Sequence, residues 1–203
     1  MNLTNHHMNI VHDKTKKEVS KIVKSIGTPN ISNILDLGAN IGLFSLYFAK
    51  LCPSAVIYSF EPVKPTYDIL KENIELNELN NIVAVNVGIS NKECNLELGI
   101  PSDRTDLKNV GLYSIHENSS NNGQVLQMAQ FIKLQTYLTE VGITSFDIIK
   151  MDVEGCELMI IEDNLELFKN SKSIHIECND IYKSDNLKIK SYLKEMGYKY
   201  IMN

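Results

Sequence analysis

The chain has 203 residues, 43% hydrophobic and 22% charged, and its 20 Lys and Arg against 25 Asp and Glu give a net charge of −5. This composition excludes a disordered polypeptide, and the acidic balance excludes a generally basic surface for nucleic acid. The four cysteines, Cys52, Cys94, Cys156 and Cys178, are far apart, which excludes paired zinc spacings and suits buried thiols of a reducing compartment.

Residues 1–29 read as an N-terminal helical lead-in, with residues 1–13 loose. The N-terminus is polar, and no apolar run approaches the ~20 residues that a membrane span needs. The expected location is therefore the cytoplasm, without membrane insertion. Asp13 is placed to cap a helix to about Ile26, with Val19, Ile22, Val23 and Ile26 on one stripe and Gly27 and Pro29 ending it. Asn33–Leu37 reads as a short buried strand, followed by a turn and an apolar helix over about 41–51. Ala55–Phe60 is a near-continuous apolar run, as expected for a parallel strand covered on both faces. A helix over about 65–79 and a third strand, Ile82–Val87, complete a βαβαβ unit with right-handed crossovers.

Between residues 90 and 134 the helical period disappears. Cys94–Leu98, Gly111–Ile115 and Val125–Leu134 alternate between polar loops. This stretch reads as an antiparallel β insertion after strand 3, within one domain spanning 1–203. Alternation then resumes: a helix over Gln135–Val141, a strand over Phe146–Met151, a helix after Gly155, a strand over Ser173–Cys178, a helix over about Asp185–Met196 and a last strand over Tyr198–Met202. The fold class expected is α/β, a Rossmann-like, doubly wound and mainly parallel sheet.

The turn after the first strand holds Asp36, Gly38, Ala39, Asn40 and Gly42. A dinucleotide fingerprint requires Gly-x-Gly-x-x-Gly. Here Asn40 takes the middle glycine's place and Leu43 the third, so the pyrophosphate cradle is absent. An acid at the strand end suits a ligand bringing a positive group. Loop and helix-start N–H groups suit its carboxylate, and Glu61, 23 positions after Gly38, falls where an acid holds ribose hydroxyls. S-adenosylmethionine combines these groups.

Asp36-Leu-Gly-Ala-Asn-Ile-Gly42, Phe60-Glu-Pro62, Val87-Gly-Ile-Ser90, the run from Phe146 to Glu157, and Ile176-Glu177 together make the chain resemble the FkbM-type family of class I S-adenosylmethionine-dependent methyltransferases. The resemblance implies a strand order beginning 3-2-1-4-5, with the cofactor over the carboxyl ends of strands 1, 2 and 4. It also implies O-methylation of a sugar or other small-molecule acceptor. Asp36, Gly38, Ala39, Asn40, Gly42, Glu61, Pro62, Val87, Gly88 and Asp152 are the expected cofactor-binding residues.

The expected catalytic residues are Asp152, Glu154 and Glu177, acids converging on the mouth of the site. Lys150, inside an apolar strand, needs a partner. His175 reads as structural. Proton removal from a hydroxyl is open to a side-chain base or to a divalent metal held by the acids. A non-catalytic methyltransferase-like binding module and, less well supported, a nicotinamide-dependent oxidoreductase are the alternative readings.

Overall fold

The computed structural model describes residues 6–101, 124–178 and 182–198. The expected strand Gly111–Ile115 lies outside these residues, as does all of the expected strand Tyr198–Met202 except its first residue.

Five parallel strands form the central sheet: β1 (Asn33–Leu37), β2 (Val56–Phe60), β3 (Ile82–Val85), β7 (Ile148–Met151) and β8 (Ser173–Ile176), in the order β3-β2-β1-β7-β8. That is the expected 3-2-1-4-5 arrangement. Helices α1 (His6–Ile26), α2 (Leu43–Leu51) and α3 (Lys64–Leu76) cover one face. The other face carries α4 (Leu134–Val141), α5 (Glu157–Asp163), α6 (Leu165–Lys169) and α7 (Lys183–Glu195).

Burial on both faces explains why the strands read as continuous apolar runs. Ile34 and Ile148 pack with Val19, Val23 and Phe48 on the α1–α2 side. Leu35, Leu37, Ile149 and Met151 pack with Ile160, Phe168 and Ile189 on the opposite side.

Three differences from the sequence reading have local causes. Helix α1 begins at His6 rather than after Asp13, so the lead-in is helical from that residue. The single helix expected after Gly155 is two, with Asn164 at the junction, where its amide donates to the Ile160 carbonyl (2.8 Å). The third strand ends at Val85 because Asn86 turns inward and donates to the carbonyls of Glu61 (2.8 Å) and Pro62 (3.2 Å). The chain then starts a second sheet.

This sheet contains β4 (Gly88–Ser90), β5 (Cys94–Pro101) and β6 (Gln124–Lys133) in the order β4-β6-β5. β5 and β6 are antiparallel, as expected, but β4 pairs with β6 in parallel, Gly88 opposite Phe131. A parallel neighbour was invisible in the alternation pattern, since period 2 is common to both pairings. The contact is close: a Cβ at Gly88 would lie 2.2 Å from the Phe131 ring.

Candidate active site

The cleft opens where open α/β sheets bind ligands, outside the carboxyl ends of the strands at the switch point. The turn after β1 contributes Gly38 and Asn40, the end of β2 Glu61 and Pro62, and the turn after β7 Asp152, Val153 and Glu154. The small sheet closes the remaining side with Val87, Gly88, Ile89, Leu98 and Phe131. Leu98 and Phe131, 33 residues apart, were not singled out from the sequence. Only the pairing of β5 with β6 brings them to the cleft.

The β1–α2 turn is spent on its own architecture. The N–H groups of Gly38 and Ala39 donate to the Phe60 carbonyl (3.0 and 2.9 Å). Asn40 N–H donates to Glu61 Oε2 (2.9 Å), Ile41 N–H to Asn40 Oδ1 (2.7 Å) and Gly42 N–H to the Ala39 carbonyl (2.9 Å). Of the loop and helix-start N–H groups expected to take a ligand carboxylate, these five loop groups all have internal acceptors. The donors that a helix leaves without intrahelical partners begin only with the first turn of α2.

Gly38 has φ +72°, and a Cβ there would lie 1.8 Å from the backbone oxygen of Asp152. The turn after β1 and the turn after β7 touch at this point. Gly38→Ala is expected to destabilise the fold by more than the roughly 1–2 kcal/mol of a left-handed alanine, because the carbonyl of Asp152 must also move. Urea unfolding of the variant checks this. Asn40 also has positive φ, +52°, a conformation in which Asn is enriched.

Glu61 is 5% exposed. Its Oε1 accepts from Val63 N–H (2.9 Å) and its Oε2 from Asn40 N–H, so the carboxylate is fixed at the cleft wall. Burial pushes its pKa up to about 7, against the pull of the Val63 and Asn40 N–H groups and of Lys150. A carboxyl whose folded pKa exceeds its ordinary value of 4.5 contributes stability below that pH, and the contribution is lost as pH rises to about 7. A ligand whose hydroxyls donate to this carboxylate favours the ionised form. Its binding near pH 7 is expected to release a proton, read by calorimetry in two buffers of different ionisation enthalpy.

Asp36 does not line the cleft. It is fully buried, one layer behind, with Oδ1 3.2 Å from Lys150 Nζ and Oδ2 accepting from Ser45 Oγ (2.6 Å). Ser45 Oγ is in turn 2.6 Å from Ser59 Oγ. Asp36, expected to suit a ligand's positive group, is paired in this structure with a cation of the chain itself. Lys150 thereby has the partner its strand position demanded.

Asp152 lies at the cleft with its side chain 32% exposed. Burial raises its pKa; Lys150, 3.9 Å away, pulls it down, while Glu177, Asp36 and Glu157 push it up. Glu154 also lines the cleft and holds φ +53°, a strained conformation for a long side chain, of the kind that gathers at functional sites. Glu157 fastens this turn, its carboxylate accepting from the N–H groups of Val153 (3.2 Å) and Gly155 (2.9 Å). Glu177 is exposed beyond β8 and does not line the cleft; it reaches Asp152 through its charge. Of the three expected acids, Asp152 and Glu154 line the cleft and Glu177 stands outside its lining. His175 packs its ring 5.5 Å from that of Phe44, and burial lowers its pKa. Cys156 lies at the cleft with its thiol pushed up to about 11 by burial, which leaves it protonated and unreactive. Among the described residues, no three His, Cys, Asp or Glu side chains converge as metal ligands, and none of the helices is long and apolar enough to cross a membrane.

Comparison with known proteins agrees with this geometry. The chain is 30% identical over 169 residues to methyltransferase sdnD of Sordaria araneosa, an alignment covering 70% of this chain and 65% of that protein. It is 26% identical over 155 residues to the 2-O-methyltransferase NoeI of Sinorhizobium fredii, covering 72% and 63%. The chain thus spans just under two thirds of the length of these relatives. The fold matches the crystal structure of precorrin-6y C5,15-methyltransferase from Geobacter metallireducens with a TM-score of 0.50, at 12% identity, over 93% of this chain and 72% of that one. The methyltransferase FkbM domain model matches residues 36–200, from the end of β1 through α7. The chain belongs to the FkbM methyltransferase domain family.

Proposed function

We propose that this methyltransferase takes its methyl group from S-adenosylmethionine and transfers it to a hydroxyl oxygen of a carbohydrate or other small-molecule acceptor. The observation that carries the reading is the fixed Glu61 carboxylate beside apolar walls at the switch point. The cleft's chemistry fits the cofactor. Val87, Ile89 and Phe131 offer apolar surface to a purine, Glu61 two acceptor oxygens to a ribose diol, and Asp152 a carboxylate near the charged end. The relative NoeI, by its name a 2-O-methyltransferase, supports oxygen as the acceptor atom.

When bound, the cofactor supplies an activated methyl on a sulfonium that leaves readily. The chain's own part is alignment and proton removal. The fixed turn and Glu61 hold one reactant so that an acceptor in the cleft mouth meets it in line, a proximity effect. Asp152, with a pKa raised by burial, is the base for the hydroxyl proton: a carboxylate poised closer to neutral pH removes a proton more effectively than an ordinary one. Glu154 stands beside it in the same turn. Glu177 acts on Asp152 by charge, without contact.

Asp152→Asn is expected to lower turnover by about 10²- to 10⁴-fold at saturating S-adenosylmethionine, where a loss of cofactor affinity does not contribute. The assay is transfer of radiolabelled methyl to a panel of glycosides and hydroxylated small molecules. Undiminished turnover would remove Asp152 as the base. Cofactor binding with no transfer to any acceptor would favour a non-catalytic module.

A further inference from the structure

The Lys150 ammonium is 3% exposed and stands among groups from both walls of the cleft. It donates to the Gly38 carbonyl (2.6 Å), meets Asp36 Oδ1 at 3.2 Å and Asp152 Oδ2 at 3.9 Å, and lies 5.3 Å from the centre of the Phe44 ring. A simple buried ion pair with Asp36 would need neither the Gly38 carbonyl nor the approach to Asp152. We propose that Lys150 is a positioning residue, one buried cation that ties the turn after β1 to the carboxylate of Asp152. The proposal rests on the reading of Asp152 as the base, and it assigns to Lys150 the control of that base's ionisation.

Competing charges surround Asp152. Asp152 faces Lys150 on its own strand, Asp36 from β1, Glu177 from the end of β8 and Glu157 from α5. Lys150 is the one cation in that set, against three carboxylates. Lys150 also acts on Glu61 after β2 and on His175, its neighbour in register on β8. A single lysine thus favours the ionised form of both Asp152 and Glu61. At an interior position such an interaction is scarcely screened by salt. Holding the Gly38 carbonyl at the same time keeps the two turns in contact, where Gly38 already abuts the Asp152 backbone.

The test is a carbon-13 NMR titration of the aspartate carboxyls, with the Asp152 resonance assigned from Asp152→Asn. In the double variant Asp36→Asn/Lys150→Met, compared with Asp36→Asn alone, the Asp152 midpoint is expected to rise by about one pH unit or more, a tenfold change in proton affinity. In Lys150→Arg, which keeps the charge, it is expected to stay within about 0.3 units of the parent. A midpoint unmoved in the double variant would reduce Lys150 to a core ion pair and overturn the proposal. Should that variant not fold, Asp152→Asn supplies the same test from the other side. The nitrogen-15 resonance of Lys150 Nζ is expected to sense the ionisation of Asp152 in the parent and not in Asp152→Asn; a step retained in the variant would equally overturn the proposal. Neither readout requires cofactor or acceptor, so failure of the parent to bind S-adenosylhomocysteine refutes the proposed function without deciding this inference.

Discussion

Replacing Glu61 with Gln is expected to weaken S-adenosylhomocysteine binding by about 10- to 100-fold at pH 8, corresponding to the roughly 1.5–3 kcal/mol of hydrogen bonds made to a charged group. The carboxylate accepts from Val63 N–H through one oxygen and from Asn40 N–H through the other, leaving further lone pairs on both for a diol. Glutamine has a single acceptor oxygen. One of the two N–H groups would face an amide NH₂, and the diol would lose an ionised acceptor. The turn after β1 is held partly through Asn40, so the variant is expected to lose about 1–3 kcal/mol of stability as well. Calorimetry under conditions where circular dichroism shows the variant folded separates lost affinity from lost fold. An affinity equal to the parent's would remove Glu61 from the cofactor site. Lowering the pH of the parent below about 7 should act in the same direction, because burial favours the protonated carboxyl there.

The largest stability effect is expected at Asp36, which lies outside the cleft. Asp36→Leu leaves the Lys150 ammonium, 3% exposed, without its closest carboxylate and leaves the Ser45 hydroxyl without its acceptor. Breaking a buried pair from one side costs about 3–5 kcal/mol, whereas replacing both partners by apolar residues is often neutral. Asp36→Leu should therefore unfold at much lower urea than the parent, and Asp36→Leu/Lys150→Met should regain most of the loss. A double variant no more stable than the single one would show that the Gly38 and Asp152 contacts of Lys150, rather than the Asp36 pair, dominate its contribution.

Asp36 also shows where the sequence is ambiguous. An acid at the carboxyl end of a buried strand, before a glycine turn, reads equally as a ligand contact or as half of an ion pair. Lys150 carried the deciding information, 114 positions later and one strand over. Both residues stand in strands without room for a lone charge, and the parallel register sets Asp36 beside Lys150. Two orphan charges of opposite sign in adjacent buried strands are a pairing that alternation alone could have suggested. By contrast the strands of the large sheet and the place of Glu61 at the end of the second were legible from continuous apolar runs and their spacing, while the strand order came from the family resemblance.

The small sheet was half legible. Alternation in Cys94–Leu98 and Val125–Leu134 identified the strands but not the parallel partner Gly88–Ser90. Nor did it show that Phe131 would lie against Gly88 and form a cleft wall. Contacts of this kind depend on register across a long connection, about which local periodicity carries no information. The exposure of Glu177 was likewise beyond reach: its N–H still donates to the Met151 carbonyl (2.9 Å), but the residue falls just past the end of β8 and its side chain is exposed.

The central claim, that the cleft between the turns after β1, β2 and β7 binds the methyl donor, is tested most directly by a crystal structure with S-adenosylhomocysteine. The expected result is the ribose diol on the Glu61 carboxylate, the purine against Val87 and Ile89, and the sulfur directed toward Asp152. A nucleoside bound elsewhere, or with its diol turned away from Glu61, would contradict it.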